Sequence, residues 1–160
     1  MDDACGPESL QFALRRDRRG ADLEALAKLC SVRRDNGTLT SGMVAALATR
    51  GYKPWVEQDV TWERAAELLP KHHLFISWWT IFFPSGETGS GAGAHWSTIT
   101  RLSERNVWIF DPIYERVVGY PKTTLDAFWV SPEMINGVLH DEIRLAVCAP
   151  RRPLTRKKPH

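Results

Sequence analysis

The 160-residue chain has no long hydrophobic run: nothing in it approaches the roughly eighteen consecutive apolar residues of a membrane-spanning helix. Its opening, Met1-Asp2-Asp3, is acidic where a secretory signal is basic and then apolar. These two absences lead to the expectation of a soluble, cytoplasmic protein with no membrane span. Cysteine is scarce. Cys5, Cys30 and Cys148 are odd in number and cannot all pair within one chain, so a disulfide framework is not expected. A strong excess of either charge is also missing: the net charge is +2, and the segment Pro150 to His160 carries five Arg and Lys residues with no acid, leaving −3 on the rest. Because the basic character is local, nucleic acid is not the expected partner. With Pro150, Pro153 and Pro159 among those cations, the tail reads as a solubilising end, and an anionic partner is the alternative. Phosphate-binding and zinc patterns are absent too. The glycines between Pro84 and Ala94 match neither Gly-x-x-x-x-Gly-Lys-Ser/Thr nor Gly-x-Gly-x-x-Gly and precede a strand, not a helix. The adjacent pair His72-His73 has no zinc-ligand spacing to Cys30, Cys148 or His140. Neither a metal nor an organic cofactor is expected.

What the chain does have is 43% hydrophobic residues, including 7 Trp and 6 Phe, enough for the core of one domain, expected over residues 1–149 with the tail from 150 to 160. Helical signals dominate the first half. Pro7 suits a first helical turn, and Leu10, Ala13 and Leu14 give the following segment an apolar face; Leu23, Leu26, Ala27 and Cys30 do the same for a second helix. After the turn at Asp35-Asn36-Gly37, Thr38 or Thr40 is placed to cap a third helix that Gly51 closes. A short extended piece at Lys53–Glu57 and a helix from Trp62 to Leu69 follow. From Leu74 the texture changes to aromatic and β-branched stretches, Leu74–Trp78, His95–Thr100, Asn106–Phe110, Arg116–Tyr120 and Ile143–Val147, interrupted by a helical piece near Leu125–Trp129. Helices followed by strands predict an α+β domain, with N-terminal helices packed on a C-terminal antiparallel sheet. The stretch Pro84–Ala94 is expected to be an exposed hairpin loop that gates a cleft.

Three residues carry chemistry. Cys5 lies at a predicted helix N-terminus, where free N–H groups favour an ionised sulfur and offer donors to an oxyanion. His95 opens a strand. Asp111 closes the next one in Phe110-Asp111-Pro112, where it can accept from the imidazole and fix its tautomer. A nucleophile on the first helix and a His and an Asp on adjacent antiparallel strands converge in space despite their separation in sequence. The pair Trp78-Trp79, with Ile81-Phe82-Phe83 after it, cannot enter one sheet face together; it is either covered by a neighbouring element or forms an aromatic wall beside the cleft or a partner surface. Trp96, on the opposite side of its strand from His95, belongs to the core.

Four blocks, Asp3-Ala4-Cys5-Gly6-Pro7-Glu8-Ser9-Leu10, Asn36-Gly37-Thr38-Leu39-Thr40 leading to Gly51-Tyr52, Ala94-His95-Trp96-Ser97-Thr98-Ile99 and Val107-Trp108-Ile109-Phe110-Asp111-Pro112, resemble the papain-like superfamily and within it the C39-like cysteine peptidases that process peptide leaders. The resemblance runs from Asp3 to about Trp129. It implies a papain-like fold, a peptide or protein substrate, Cys5 as nucleophile, His95 as base and Asp111 as orienter. One feature departs from the pattern: the resembled enzymes carry a glutamine upstream of the nucleophile that completes the oxyanion hole, and Gln11 lies downstream of Cys5 and does not take that role. A catalytically weak or silent peptide-binding or adaptor domain, and an acyltransferase or transpeptidase using the same triad, therefore stand beside the peptidase reading.

Overall fold

The computed structural model describes residues 4–33, 37–80 and 93–152. Three helices come first, α1 (Cys5–Arg16), α2 (Leu23–Leu29) and α3 (Thr40–Thr49), then β1 (Trp55–Glu57) and α4 (Trp62–Leu68). The strand-rich half holds β2 (His72–Thr80), β3 (Gly93–Leu102), β4 (Asn106–Asp111), β5 (Arg116–Pro121), α5 (Lys122–Phe128), β6 (Val130–Ile135), β7 (Val138–Ile143) and β8 (Ala146–Pro150). Six strands form one antiparallel sheet in the order β1-β8-β2-β3-β4-β5, and β6 and β7 pair separately. The α+β architecture expected from the sequence is the one observed.

Alternation along the central strands assigns their side chains to two cores. Phe75 and Trp96 join Leu10, Leu14, Leu26, Met43 and Leu47 from α1–α3 on one side of the sheet. Leu74, Ile76, Trp78, Ile99 and Ile109 join Leu68 of α4 and Leu125 of α5 on the other. Leu10 and Leu26 are fully buried, so truncating either to Ala would cost about 2–5 kcal/mol. Cys30 and Cys148 are small residues of these cores. Gly42 allows α3 to meet the end of α2, because a Cβ there would lie 2.2 Å from the Cys30 carbonyl oxygen.

Three details differ from the sequence reading. Neither Thr38 nor Thr40 caps α3: the N-cap is Leu39, without a side-chain bond. Thr40 sits inside the helix, and its N–H is taken by Glu133 Oε1 at 2.8 Å while its hydroxyl donates to Glu142 Oε2 at 3.0 Å. The helix end is thus satisfied by carboxylates from a distant hairpin, where negative charge also suits the helix dipole. That hairpin, β6–β7, is the second difference. Residues 130–142 receive no element from the sequence, yet Asn136 and Gly137 both have positive φ, 50° and 77°, and make the two-residue turn that an Asn-Gly pair favours. Third, the last sheet strand runs over Ala146–Pro150, later than expected, and the chain is held beyond it: Arg151 N–H donates to the Lys71 carbonyl at 2.9 Å and Arg152 N–H to Asp17 Oδ2 at 2.9 Å. Residues 150–152, assigned to the tail from composition, are bonded to the body; residues 153–160 lie outside the described residues, as does most of the expected loop, 84–92. Among the described residues no helix is long and apolar enough to cross a membrane.

Candidate active site

The site begins at the N-terminus of α1. Ala4 is the N-cap and makes no side-chain capping bond, Glu8 N–H closes the first turn on the Ala4 carbonyl at 2.9 Å, and Pro7 has no N–H. The helix end therefore directs the N–H groups of Cys5 and Gly6 outward, beside a half-buried Cys5 side chain. Gly6 is required by its surroundings: a Cβ there would lie 2.5 Å from Thr38 Oγ1. Thr38 is fixed in turn, because Trp96 Nε1 donates to its carbonyl at 2.7 Å, so the segment entering α3 is pressed onto the first turn of α1.

Sheet register supplies the other two groups. Thr98 pairs with Phe110, so one step further along the same register Asp111 lies opposite Ser97, and the alternation of β3 puts His95 on the same face as Ser97. His95 Nε2 and Asp111 Oδ1 meet at 2.6 Å, with His95 5% exposed and Asp111 1%. The same Oδ1 accepts from Ile113 N–H at 3.0 Å, and Oδ2 accepts from the Tyr120 hydroxyl at 3.2 Å. With Nε2 committed to Asp111, Nδ1 is the ring nitrogen left for Cys5. Burial works against the imidazolium of His95, but hydrogen bonds to Asp111 and to Cys5, with the charges of both, outweigh it and lift the group to about 9. His95 is thus in direct contact with Asp111 and within hydrogen-bonding reach of Cys5. Cys30 and Cys148 differ: burial pushes each thiol up to about 12.

Trp78 stands across the strand pair from His95, with ring centroids 5.7 Å apart in an edge-on contact, and makes a similar contact with Tyr120 at 5.8 Å. Its indole donates to Ser97 Oγ at 3.0 Å. Of the readings open for this tryptophan pair, coverage by neighbouring elements describes Trp78, which is buried in the core with Leu68 of α4 and Leu125 of α5; residues 81–83 lie outside the described residues. Trp96 is buried in the helix-side core. Gln11 donates its amide to the Ala21 carbonyl at 3.0 Å and borders, with Glu8, Phe12, Phe110 and Pro112, a cavity of about 290 Å³ one to two turns along α1 from Cys5. His72 and His73 point apart, His72 to the Leu68 carbonyl and His73 to Asp17 at 2.8 Å, and no group of three metal-ligating side chains occurs among the described residues. Tyr120 was not foreseen as part of this site. Alternation places it on the face that carries Asp111, but four residues further along the ladder, so register alone does not predict the contact that its hydroxyl makes.

No protein-family model matches the chain, and no curated protein matches it in sequence. Solved structures do match in fold. The peptidase domain of Streptococcus ComA, a bifunctional ABC transporter involved in quorum sensing, superposes with a TM-score of 0.63 at 17% identity, over 94% of this chain and 93% of that one. A double-glycine-motif protease from an AMS/PCAT transporter, solved with its leader peptide, gives 0.63 at 17% identity over 94% and 86%. A protein from Bacillus anthracis described as a C39-like peptidase gives 0.59 at 16% identity over 98% and 91%. The chain therefore has the papain-like fold of C39 peptidase domains, as the sequence resemblance implied.

Proposed function

We propose that the protein is a thiol-dependent peptide-bond hydrolase of the C39-like kind, with Cys5 as nucleophile, His95 as base and then acid, and Asp111 as the group that orients the ring. The observation that carries this reading is the buried His95–Asp111 pair at 2.6 Å, whose free ring nitrogen serves a half-exposed cysteine at a helix N-terminus. The fold it sits in supports the same reading.

In this mechanism His95 takes the Cys5 proton, and the thiolate attacks the scissile carbonyl carbon while the carbonyl π electrons move to oxygen. The N–H groups of Cys5 and Gly6 are the donors available to that oxyanion. Collapse breaks the C–N bond as the His95 imidazolium gives its proton to the leaving amine. Neutral His95 then takes a proton from water, whose oxygen attacks the thioester; the acid product leaves and the sulfur regains its proton through His95. Asp111 holds the ring at Nε2 throughout. If an amine replaces water in the last step, the same groups perform acyl transfer.

Iodoacetamide followed by mass mapping, together with hydrolysis of peptides bearing a double-glycine motif, tests the proposal; that substrate class is taken from the transporter protease of the same fold. Cys5 should be alkylated near neutral pH at least tenfold faster than Cys30 or Cys148, whose thiols are held up to about 12. His95→Ala should remove that advantage, and Cys5→Ala should abolish cleavage. A free amine that captures the acyl group would assign transfer instead of hydrolysis. Slow and equal alkylation of all three cysteines, with no cleavage, would leave a silent peptide-binding domain.

A further inference from the structure

We infer that Tyr120 is a positioning residue of the site, its hydroxyl pinning the second carboxylate oxygen of Asp111 so that the first stays aligned with His95. The inference rests on the function proposed above and extends it to a residue outside the triad. Asp111 has two side-chain rotations, and its carboxylate is 1% exposed, so water does not supply its lone pairs freely. Oδ1 takes two donors, His95 Nε2 at 2.6 Å and Ile113 N–H at 3.0 Å. Those two bonds locate one oxygen and leave the carboxylate plane free to turn about it. The Tyr120 hydroxyl, 3.2 Å from Oδ2, removes that freedom.

Trp78 makes the arrangement rigid. It packs edge-on against both His95 and Tyr120 and is itself tied through Nε1 to Ser97 Oγ at 3.0 Å, so one indole fixes the spacing between the ring that moves the proton and the phenol that steadies its partner. Tyr120 is not replaceable by packing alone. Phenylalanine fills the same volume beside Trp78 but leaves a buried carboxylate oxygen without that donor, which loosens the imidazole–carboxylate alignment on which the imidazolium depends.

The test uses the full chain with Tyr120→Phe, read by the ¹⁵N-detected titration of His95 and by the pH–rate profile of Cys5 alkylation with iodoacetamide. The His95 midpoint is expected to fall by about one pH unit. Alkylation is expected to slow about threefold at pH 8.5, which lies between the two midpoints, and to equal wild type at pH 6, where His95 is charged in both proteins. Tyr120→Leu, which removes ring and hydroxyl together, should show the same signature with a lower melting temperature added. An unchanged His95 midpoint in Tyr120→Phe, or an alkylation rate lowered equally at both pH values, overturns the inference. The titration does not depend on turnover, so it stands apart from the function: absence of any Cys5 preference in wild type would defeat the hydrolase proposal while the His95 midpoint still decided the role of Tyr120.

Discussion

A methyl group placed on Gly6 would lie 2.5 Å from Thr38 Oγ1 and 2.6 Å from Thr38 Cβ, closer than real Cβ atoms approach. The first turn of α1, which carries Cys5, and the entry to α3 are therefore fitted to one another with no space between them. Gly6→Ala should force the turn outward, lower stability by about 1–3 kcal/mol and slow Cys5 alkylation more than tenfold. Chemical denaturation and mass-mapped labelling check both, and a variant with wild-type reactivity would mean that the first turn tolerates displacement without moving the sulfur.

His95 carries the sharpest pH expectation. Its group is raised from 6.5 to about 9, so the charged pairing contributes stability that is fully present below pH 6.5 and is lost as pH rises through 9. Cys5→Ala and Asp111→Asn each remove a hydrogen bond and a charge that oppose the desolvation of the imidazolium, so the His95 midpoint should fall in both variants. Asp111→Asn should also cut peptide turnover by several orders of magnitude while alkylation, which needs no proton delivery to a leaving amine, falls less. An NMR titration of the imidazole and paired rate measurements decide this, and a midpoint unmoved by Asp111→Asn would remove Asp111 from its assigned role.

The carboxyl pair on the β6–β7 hairpin gives a slope of the same sign at lower pH. Burial pushes Glu142 up to about 7, with the neighbouring Glu133 adding to the effect and the Thr40 hydroxyl opposing it. A carboxyl raised in the folded state weakens folding as it is forced to ionise, so its contribution is best below pH 4.5 and declines between 4.5 and 7. Glu142→Gln keeps an oxygen for the Thr40 hydroxyl and cannot ionise. It should raise stability at pH 8 by roughly 1 kcal/mol, after allowance for partial solvation, and flatten the pH dependence between 4.5 and 7. Thermal melts across that range measure it.

Truncation separates the anchored end of the sheet from the residues after it. Arg151 donates from its backbone to Lys71 and from its guanidinium to the Leu69 carbonyl, and Arg152 N–H donates to Asp17, which also accepts from Tyr52 at 2.7 Å and contacts His73 at 2.8 Å. A chain ending at Ala149 loses these bonds and should lose roughly 2 kcal/mol, a melting shift of several degrees. A chain ending at Arg152 should match the full-length protein. Equal melting of both truncations would show that the Arg151 and Arg152 contacts add nothing.

Much of the fold and the core of the candidate site were legible from local signals. Leu10, Ala13 and Leu14 recur at helical spacing, Pro7 marks the helix start that carries Cys5, and Leu74–Trp78 and Asn106–Phe110 show the texture of buried strands, so the element types and the placement of His95 and Asp111 near strand ends could be read without coordinates. The Asn136-Gly137 turn was equally local, and its hairpin went unassigned because the flanking residues, Met134, Ile135, Val138 and Leu139, are exposed and give no inward alternation.

Other relationships were decided only by the tertiary structure. Glu133 takes the N–H of Thr40 across 93 positions, where a helix-capping rule looks for a partner within three. Thr38 stands against Gly6 because Trp96 holds its carbonyl from the sheet, and Tyr120, packed on Trp78, meets Asp111 although the register sets them four residues apart. Periodicity determined which face of each element turns inward, since that depends on neighbours three, four or two residues away. It could not determine which distant polar atom waits on that face, because burial fixes only that some partner must exist, and the packing of the whole chain selects it.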